Sequence, residues 1–388
     1  MGVPFLDLRR QLAPLRKDVL EALARVWDSG AFALGPEVEQ FEQEFGRYFE
    51  FRHCIACASG SDALLLALTA LGVGPGDEVI VPSFTFFATA SAVWRLSARP
   101  VFADIDPETF NLSPEDTAAR ITSRTKAIIP VHLFGQAANL AAFEQLARDR
   151  GLALIEDVAQ ALGATWEGRL AGKWGQIGCF SFYPTKNLGG AGDAGMMTTE
   201  SDVLAERLRL LRVHGMNPRY YHQLVGVNSR MDGFQAAVLR IKLRYLAEWQ
   251  QQRAKVAATY FELFQESGLD GVVRLPKVAD QAGHVWNQFV IRVPEGRRDA
   301  LRSYLSSIGI GTEIYYPVGL HEQKCFASLG YRPEDLPETF RATREVLALP
   351  CFPELLPSEQ EQVVEGIARF YKEAVGTTKF PNPLRAVA

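Results

Sequence analysis

The sequence predicts an α/β protein: a large domain with a mainly parallel, mixed sheet flanked by helices, then a smaller C-terminal α+β domain. Three observations predict it. Short apolar runs recur about 25 residues apart, the length of one strand plus a crossover helix. Helix-like apolar patterns sit between several of these runs, as a doubly covered sheet requires. Beyond a stretch without Gly or Pro, Phe234 to Ser267, the regular alternation stops.

In chain order, the strand candidates are Val79–Val81, Val101–Ala103, Ala127–Val131, Leu152–Ile155 and Cys179–Phe182, with Met196–Thr199 after them. Leu64–Leu68 and Leu140–Ala147 occupy helix slots between them. Phe234–Ser267 reads as a long helix, broken at most once, bounded by Gly233 and Gly268. A helix of that length can leave one domain and enter the next, so the expected units are residues 1–247 and 248–388. In the second unit, Val285–Val293 and Gly311–Tyr316 read as strands, and Arg298–Ile308 as a helix. Two more helices are expected near Glu334–Leu347 and Ser358–Ala374. The stretch Thr377–Ala388 has two prolines and no periodicity, and is expected to be a loose arm.

The 388 residues carry 41 Lys+Arg against 45 Asp+Glu, a net charge of −4, and are 47% hydrophobic. These proportions exclude a wholly disordered, collagenous or coiled-coil chain. The mild negative charge supplies no global field for nucleic acid or an anionic membrane, so an anionic ligand must be held by local groups. Five cysteines, an odd and sparse set, do not make a disulfide framework. Cys54 and Cys57 form a C-x-x-C without a second ligand pair, and read as small residues of a buried strand rather than a metal site. No apolar run reaches membrane-spanning length, and the start MGVPFLDLRR lacks a signal layout and fails the myristoylation pattern at Leu6. The expectation is a soluble, cytoplasmic protein.

Ligands of open α/β sheets bind at the carboxyl ends of the strands, so the residues after each apolar run matter most. Ala58-Ser59-Gly60-Ser61-Asp62-Ala63 opens a helix with small residues and hydroxyls. Such a start offers backbone N–H groups and a positive dipole end to a phosphate, or is simply an N-cap. Leu152–Ile155 ends in Glu156-Asp157, with Gln160 three residues on. Strand side chains alternate, so only one of the two acids can share a given pocket. Lys186 follows an apolar strand and precedes Gly189-Gly190 with almost no other charge nearby. A desolvated lysine has a lowered pKa and becomes a nucleophilic amine, which suits a Schiff base. Gly190-Ala191-Gly192-Asp193-Ala194-Gly195 matches G-x-G-x-x-G. The strand-like Met196–Thr199 follows where a dinucleotide site needs a helix, so that reading is rejected.

Taken together, the ordered motifs resemble the DegT/DnrJ/EryC1/StrS family of pyridoxal-phosphate-dependent sugar aminotransferases. They include Phe32-Ala33-Leu34-Gly35-Pro36, Ser59-Gly60-Ser61-Asp62-Ala63-Leu64, Gly74-Pro75-Gly76-Asp77, Thr85-Phe86, Glu156-Asp157-Val158-Ala159-Gln160-Ala161 and Ser181 to Gly189. Gly192-Asp193-Ala194-Gly195, His214-Gly215 and Asn228-Ser229-Arg230-Met231-Asp232 complete the set, which spans about Val3 to Ala374. The resemblance implies the aspartate-aminotransferase-like fold type I and pyridoxal 5'-phosphate as cofactor, with no metal. It implies that Lys186 is the Schiff-base lysine and proton shuttle, and that Asp157 pairs with the pyridine nitrogen. It places Gln160 near the phenolic oxygen, Phe86 on the ring face, and Gly60, Ser61 and Ser181 around the phosphate. On pattern alone the choice among Phe84, Phe86 and Phe87 stays open. Asn228 resembles a residue that reaches the phosphate from a neighbouring subunit, which implies a homodimer with shared active sites.

The implied reaction moves an amino group from L-glutamate or glutamine to a keto group of a nucleotide-diphosphate-linked hexose. Val3–Leu8 and Tyr220-Tyr221-His222 resemble branches that use 3-keto sugars; a 4-keto sugar is the alternative. Tyr183, Arg219, Tyr315 and His321 are the expected substrate contacts, Arg219 through the diphosphate. A regulatory protein of the same fold is a further alternative, which an exposed apolar helix or membrane segment would favour. Relatives that remove a hydroxyl carry His at the lysine position, and Lys186 stands against that outcome.

Overall fold

The structure, a computed structural model, describes residues 2–269 and 271–376. The strands of the first half are β1 (His53–Cys57), β2 (Glu78–Pro82), β3 (Arg99–Ala103), β4 (Thr125–Ile128) and β5 (Ala153–Asp157). Then come the short β6 (Thr165–Trp166) and β7 (Arg169–Leu170), followed by β8 (Ile177–Ser181) and β9 (Gly195–Thr199). The second half adds β10 (Ala282–Gly283), β11 (Phe289–Arg292) and β12 (Val346–Leu349). A seven-stranded sheet runs in the order β1-β9-β8-β5-β4-β2-β3. All its pairings are parallel except those of β9, which is antiparallel to β1 and β8.

These strands form where the sequence is apolar because both faces of the sheet are covered. Every residue of β2 and β9 is buried, as a strand between two helix layers must be. One layer is led by helix Gly60–Ala70, whose Ala63–Leu68 run is buried throughout. On the opposite side Phe41 and Phe45 of helix Pro36–Phe49 meet Phe182, and Phe45 also meets Phe180, with ring centroids 5.4–5.7 Å apart. The chain runs from β2 to β3 on one side and then crosses back to β4 on the other side of β2. That reversal opens a crevice at the carboxyl ends of the strands.

The long Gly- and Pro-free stretch is two helices, Gly233–Leu243 and Leu246–Glu266. The first packs on helices Arg16–Ser29 and Pro36–Phe49, and the second on helix Pro357–Gly376. The break at Arg244–Tyr245 therefore lies where the chain passes from one set of neighbours to the other. The predicted helix over 334–347 is corrected: the helix is Pro337–Glu345, and Val346–Leu349 is a strand antiparallel to Phe289–Arg292. Four buried apolar residues beside an open strand edge pair with it, so tertiary context overrides the helical pattern. Gly311–Tyr316 forms no strand; only a bridge from Glu313 to Ala348 joins it to the small sheet. The N-terminal residues join the C-terminal unit: Val3 N donates to Gly309 O at 2.9 Å, and Gly311 N to Val3 O at 2.8 Å. Arg10 adds a 2.7 Å ion pair to Glu359. The expected loose arm Thr377–Ala388 lies outside the described residues. Among the described residues, no helix is long and apolar enough to cross a membrane.

Candidate active site

A cavity of about 870 Å³ opens at the carboxyl ends of β2, β5 and β8, and both Asp157 and Lys186 line it. Asp157 is the last residue of β5 and buried. Its carboxylate accepts from Thr89 Oγ1 at 2.9 Å and from Ala159 N at 3.1 Å. Strand alternation turns Glu156 to the other face. There its carboxylate accepts backbone N–H bonds from Gly172, Trp174 and Gly175, each at 2.7 Å, and lies 3.1 Å from His132 Nε2. His132 Nδ1 accepts from Ala138 N at 3.1 Å, so Nε2 carries the proton that it donates to Glu156. Of the two acids, Glu156 is committed to the scaffold and Asp157 faces the cavity.

Lys186 stands in the tight loop after β8. Its backbone N donates to Tyr183 O at 2.9 Å. A Cβ at Gly189 would lie 2.3 Å from Pro184 O, so only glycine fits this turn. Lys242 Nζ holds Gly189 O at 2.5 Å, and Asn187 Nδ2 holds Val285 O at 2.9 Å. Desolvation lowers the Lys186 amine to about 8, against the opposing pull of Asp157. Burial raises Asp157 above the usual carboxylate range, while Ala159, Thr89 and Lys186 draw it back. Each charge stabilises the other in a site that penalises both.

At another wall, Ser59 caps helix Gly60–Ala70 by accepting from Asp62 N at 3.1 Å. Ser59, Gly60, Ser61 and Ser181 all line the cavity. A Cβ at Gly60 would sit 2.6 Å from Ser181 Cβ, and one at Gly195 would sit 2.4 Å from the Ser59 backbone. The glycines let β8, β9 and the helix start close into one cradle of N–H and hydroxyl groups.

Burial removes one residue from the aromatic choice left open by the pattern. Phe84 is 1% exposed and belongs to the core, whereas Phe86 is 58% exposed and lines the cavity. Phe87 also reaches the wall, with its ring 5.6 Å from Phe326. Gln160 accepts from Phe134 N at 2.7 Å and donates to Tyr316 Oη at 3.1 Å. Tyr183 and Tyr315 line the cavity too.

Three expected residues do not. His321 is 2% exposed, and its Nδ1 lies 2.6 Å from Ser83 Oγ. This correction has a simple cause: Leu320 and Gln323 face the cavity, and a short 3-10 turn puts His321 between them behind the wall. Arg219 is exposed and lies over the Tyr220 ring at 5.0 Å, away from this cavity. Asn228 is exposed and accepts from Arg230 Nε at 2.9 Å. Sequence reasoning missed Thr89, Tyr316 and Arg253. Thr89 and Tyr316 had no legible signal. Arg253 did: it interrupts the buried stripe Trp249, Val256, Ala257, Tyr260 and Phe264 of its helix.

The residues fit pyridoxal phosphate: a cradle at Gly60 that any side chain would fill, a buried carboxylate without an ion-pair partner at hydrogen-bond range, and a desolvated lysine. The profile of the DegT/DnrJ/EryC1/StrS aminotransferase family matches residues 14–368. A pleiotropic regulatory protein of Geobacillus stearothermophilus is 49% identical over 96% of this chain and 99% of its own. A UDP-N-acetyl-3-dehydro-alpha-D-glucosamine 3-aminotransferase of Acidithiobacillus ferrooxidans is 43% identical over 95% and 98%. The crystal structure of S. venezuelae DesV in complex with a ketimine intermediate superposes with a TM-score of 0.91, at 44% identity over 95% of this chain and 98% of that one.

Proposed function

The chain belongs to the DegT/DnrJ/EryC1/StrS aminotransferase family, and from that premise we propose the reaction it performs. It moves an amino group from L-glutamate or glutamine to the C3 ketone of a nucleotide-diphosphate-linked hexose, with pyridoxal phosphate as cofactor. The observation that carries this reading is Lys186 and Asp157 lining one cavity with the Gly60–Ser181 cradle. The C3 choice is supported by the 3-aminotransferase relative; a 4-keto sugar is the alternative. The regulatory reading draws on the name of the 49% identical relative, and the cavity residues favour catalysis.

Bound, the cofactor supplies an electron sink that makes the substrate carbon acidic. The protein's residues supply the rest. Ser59, Gly60, Ser61 and Ser181 would hold the phosphate. Asp157, oriented by Thr89, would keep the pyridine nitrogen protonated, because a buried carboxylate raises a neighbouring cation's pKa. Phe86 and the Gln160–Tyr316 pair would contact the ring. The Lys186 amine would attach the cofactor and, when free, hold a proton for the substrate carbon. Tyr183 and Tyr315 flank the sugar, and from the partner subunit of a homodimer Arg219 meets the diphosphate and Asn228 completes the phosphate site.

The test begins with absorbance. Purified protein mixed with pyridoxal phosphate is expected to turn yellow, to bleach with glutamate, and to recover colour with a nucleotide-linked keto sugar. Product mass and NMR over a panel of 3- and 4-keto sugars identify the carbon. A wild-type protein that never develops the visible band refutes the reading.

A further inference from the structure

Behind the cavity, the loop that carries Lys186 rests on one helix. From Pro184 to Gly192 the loop includes Gly189, Gly190 and Gly192. Two side chains of helix Gly233–Leu243 hold its polar backbone. Gln235 Oε1 accepts from Ala191 N at 2.8 Å, and Lys242 Nζ donates to Gly189 O at 2.5 Å. They lie seven residues apart, about two helical turns, and so share one face. The approach is close. A Cβ at Gly190 would lie 2.8 Å from Gln235 Oε1, and one at Gly192 2.9 Å from its Nε2. Glycine is what lets the loop settle onto the helix.

Lys242 is 1% exposed. Burial lowers its amine to about 8, and Glu354 supports the charge without an ion-pair contact. The Trp249 ring centroid lies 5.7 Å from Nζ. A buried cation of this kind is costly, and a neutral side chain would fill the same space at less cost. What offsets the cost is a short, charge-assisted bond to a carbonyl three residues after Lys186. Local rules are broken in this way where a site needs its geometry held.

We propose that Lys242 and Gln235 are positioning residues: they clamp the loop so that the Lys186 amine stays turned into the cavity and away from water. Neither lines the cavity, so both act through the loop. The proposal rests on the aminotransferase reading for its purpose and extends it behind the cavity wall. A slack loop would admit water to the amine, which would then behave more like an ordinary lysine. Asp157 is the charge that acts on the Lys186 amine, and the substitutions below leave it in place.

The probe is trace acetic anhydride, applied to cofactor-free protein from about pH 6 to about pH 11, with acetylation of Lys186 read by mass spectrometry. In wild-type protein the Lys186 profile should rise with a midpoint at about 8. Lys242→Met keeps the length and drops the donor and the charge. Its Lys186 midpoint should move up to about 9 or higher, which makes the amine roughly 10-fold less reactive at neutral pH. Capture of pyridoxal phosphate, followed by the visible band, should slow by a similar factor. Lys242→Arg keeps donor and charge and should return the midpoint most of the way. Should the Met variant not fold, Gln235→Leu removes the other tether and should shift the midpoint in the same direction. Ile241→Ala, on the face toward Ala22 and Val26, is the control for a merely structural effect. It should lower the urea midpoint and leave the Lys186 profile in place. The proposal is overturned if wild-type Lys186 titrates like an ordinary lysine, or if a folded Met or Leu variant keeps the wild-type profile. It is equally overturned if a folded Arg variant shifts as far as Met, or if Ile241→Ala does. Protein that shows the expected Lys186 profiles but never develops a visible band would overturn the aminotransferase reading and leave the tether standing.

Discussion

Glu156 and Asp157 are consecutive carboxylates with opposite surroundings. The first accepts three backbone N–H bonds and faces His132; the second faces the cavity. Glu156→Gln should therefore cost about 2–4 kcal/mol of stability, the loss of charge-assisted bonds in a buried site, read by urea denaturation. Asp157→Asn should leave the urea midpoint nearly in place and lower transamination roughly 100-fold or more, because its charge acts on the reacting system. For Lys186, the folded-state value of about 8 lies below the ordinary 10.5, so the neutral amine gains population as pH rises through 8. The rate of cofactor capture by the free protein, followed by the visible band, should rise from pH 6.5 to 9.5 with a midpoint near 8. A flat profile would show that desolvation does not govern this amine. At this scale the sequence supplied the residue types and their alternation. Which acid faced the cavity needed the sheet, since alternation names two faces without saying which is which.

At the scale of elements, the cradle depends on three segments meeting at glycines. Gly60→Ala would set a methyl 2.6 Å from Ser181 Cβ, and either the helix start or β8 must move. The expected result is an apparent cofactor affinity weakened by about 10-fold, measured by equilibrium dialysis, with a stability loss of about 1–3 kcal/mol from overpacking. The parallel strands were legible because double burial makes each an apolar run, and Ser59 was legible as an N-cap. Val346–Leu349 was not, because a pairing 60 residues apart, Phe289 with Leu349, decides its state. A window read along the chain registers a helical continuation there and misses the open edge. His321 failed for the same reason: Ser83, 238 residues upstream, holds its Nδ1 at 2.6 Å behind the cavity wall.

At the scale of the whole molecule, Asn228 and Arg219 are exposed and lie off this chain's cavity, which is where residues serving a second subunit would be. Mixed dimers test this. A site that takes Lys186 from one chain and Asn228 from the other would be intact once in a mixture of Lys186→Ala and Asn228→Ala chains. Such a mixture should recover about half the activity of wild-type dimer per heterodimer, by the count of intact sites in a two-fold assembly; no recovery would assign Asn228 to its own chain. Val3 makes an isolated parallel bridge with Ile310, bonding to Gly309 and Gly311, so the first residues close onto the C-terminal unit. The sequence by itself determined the α/β architecture and the family resemblance, and it singled out Lys186, Asp157 and the Gly60–Ser61 helix start, which the fold brings to one cavity. Local patterning and short motifs carry that information, because burial periodicity and turn chemistry act over a few residues. The tertiary structure alone decided that Phe84 joins the core while Phe86 and Phe87 meet the cavity, that His321 turns away, and that Arg253 lies buried in the cavity wall. Those outcomes depend on contacts between segments far apart in the chain, and no local pattern encodes the direction in which a side chain meets a distant one.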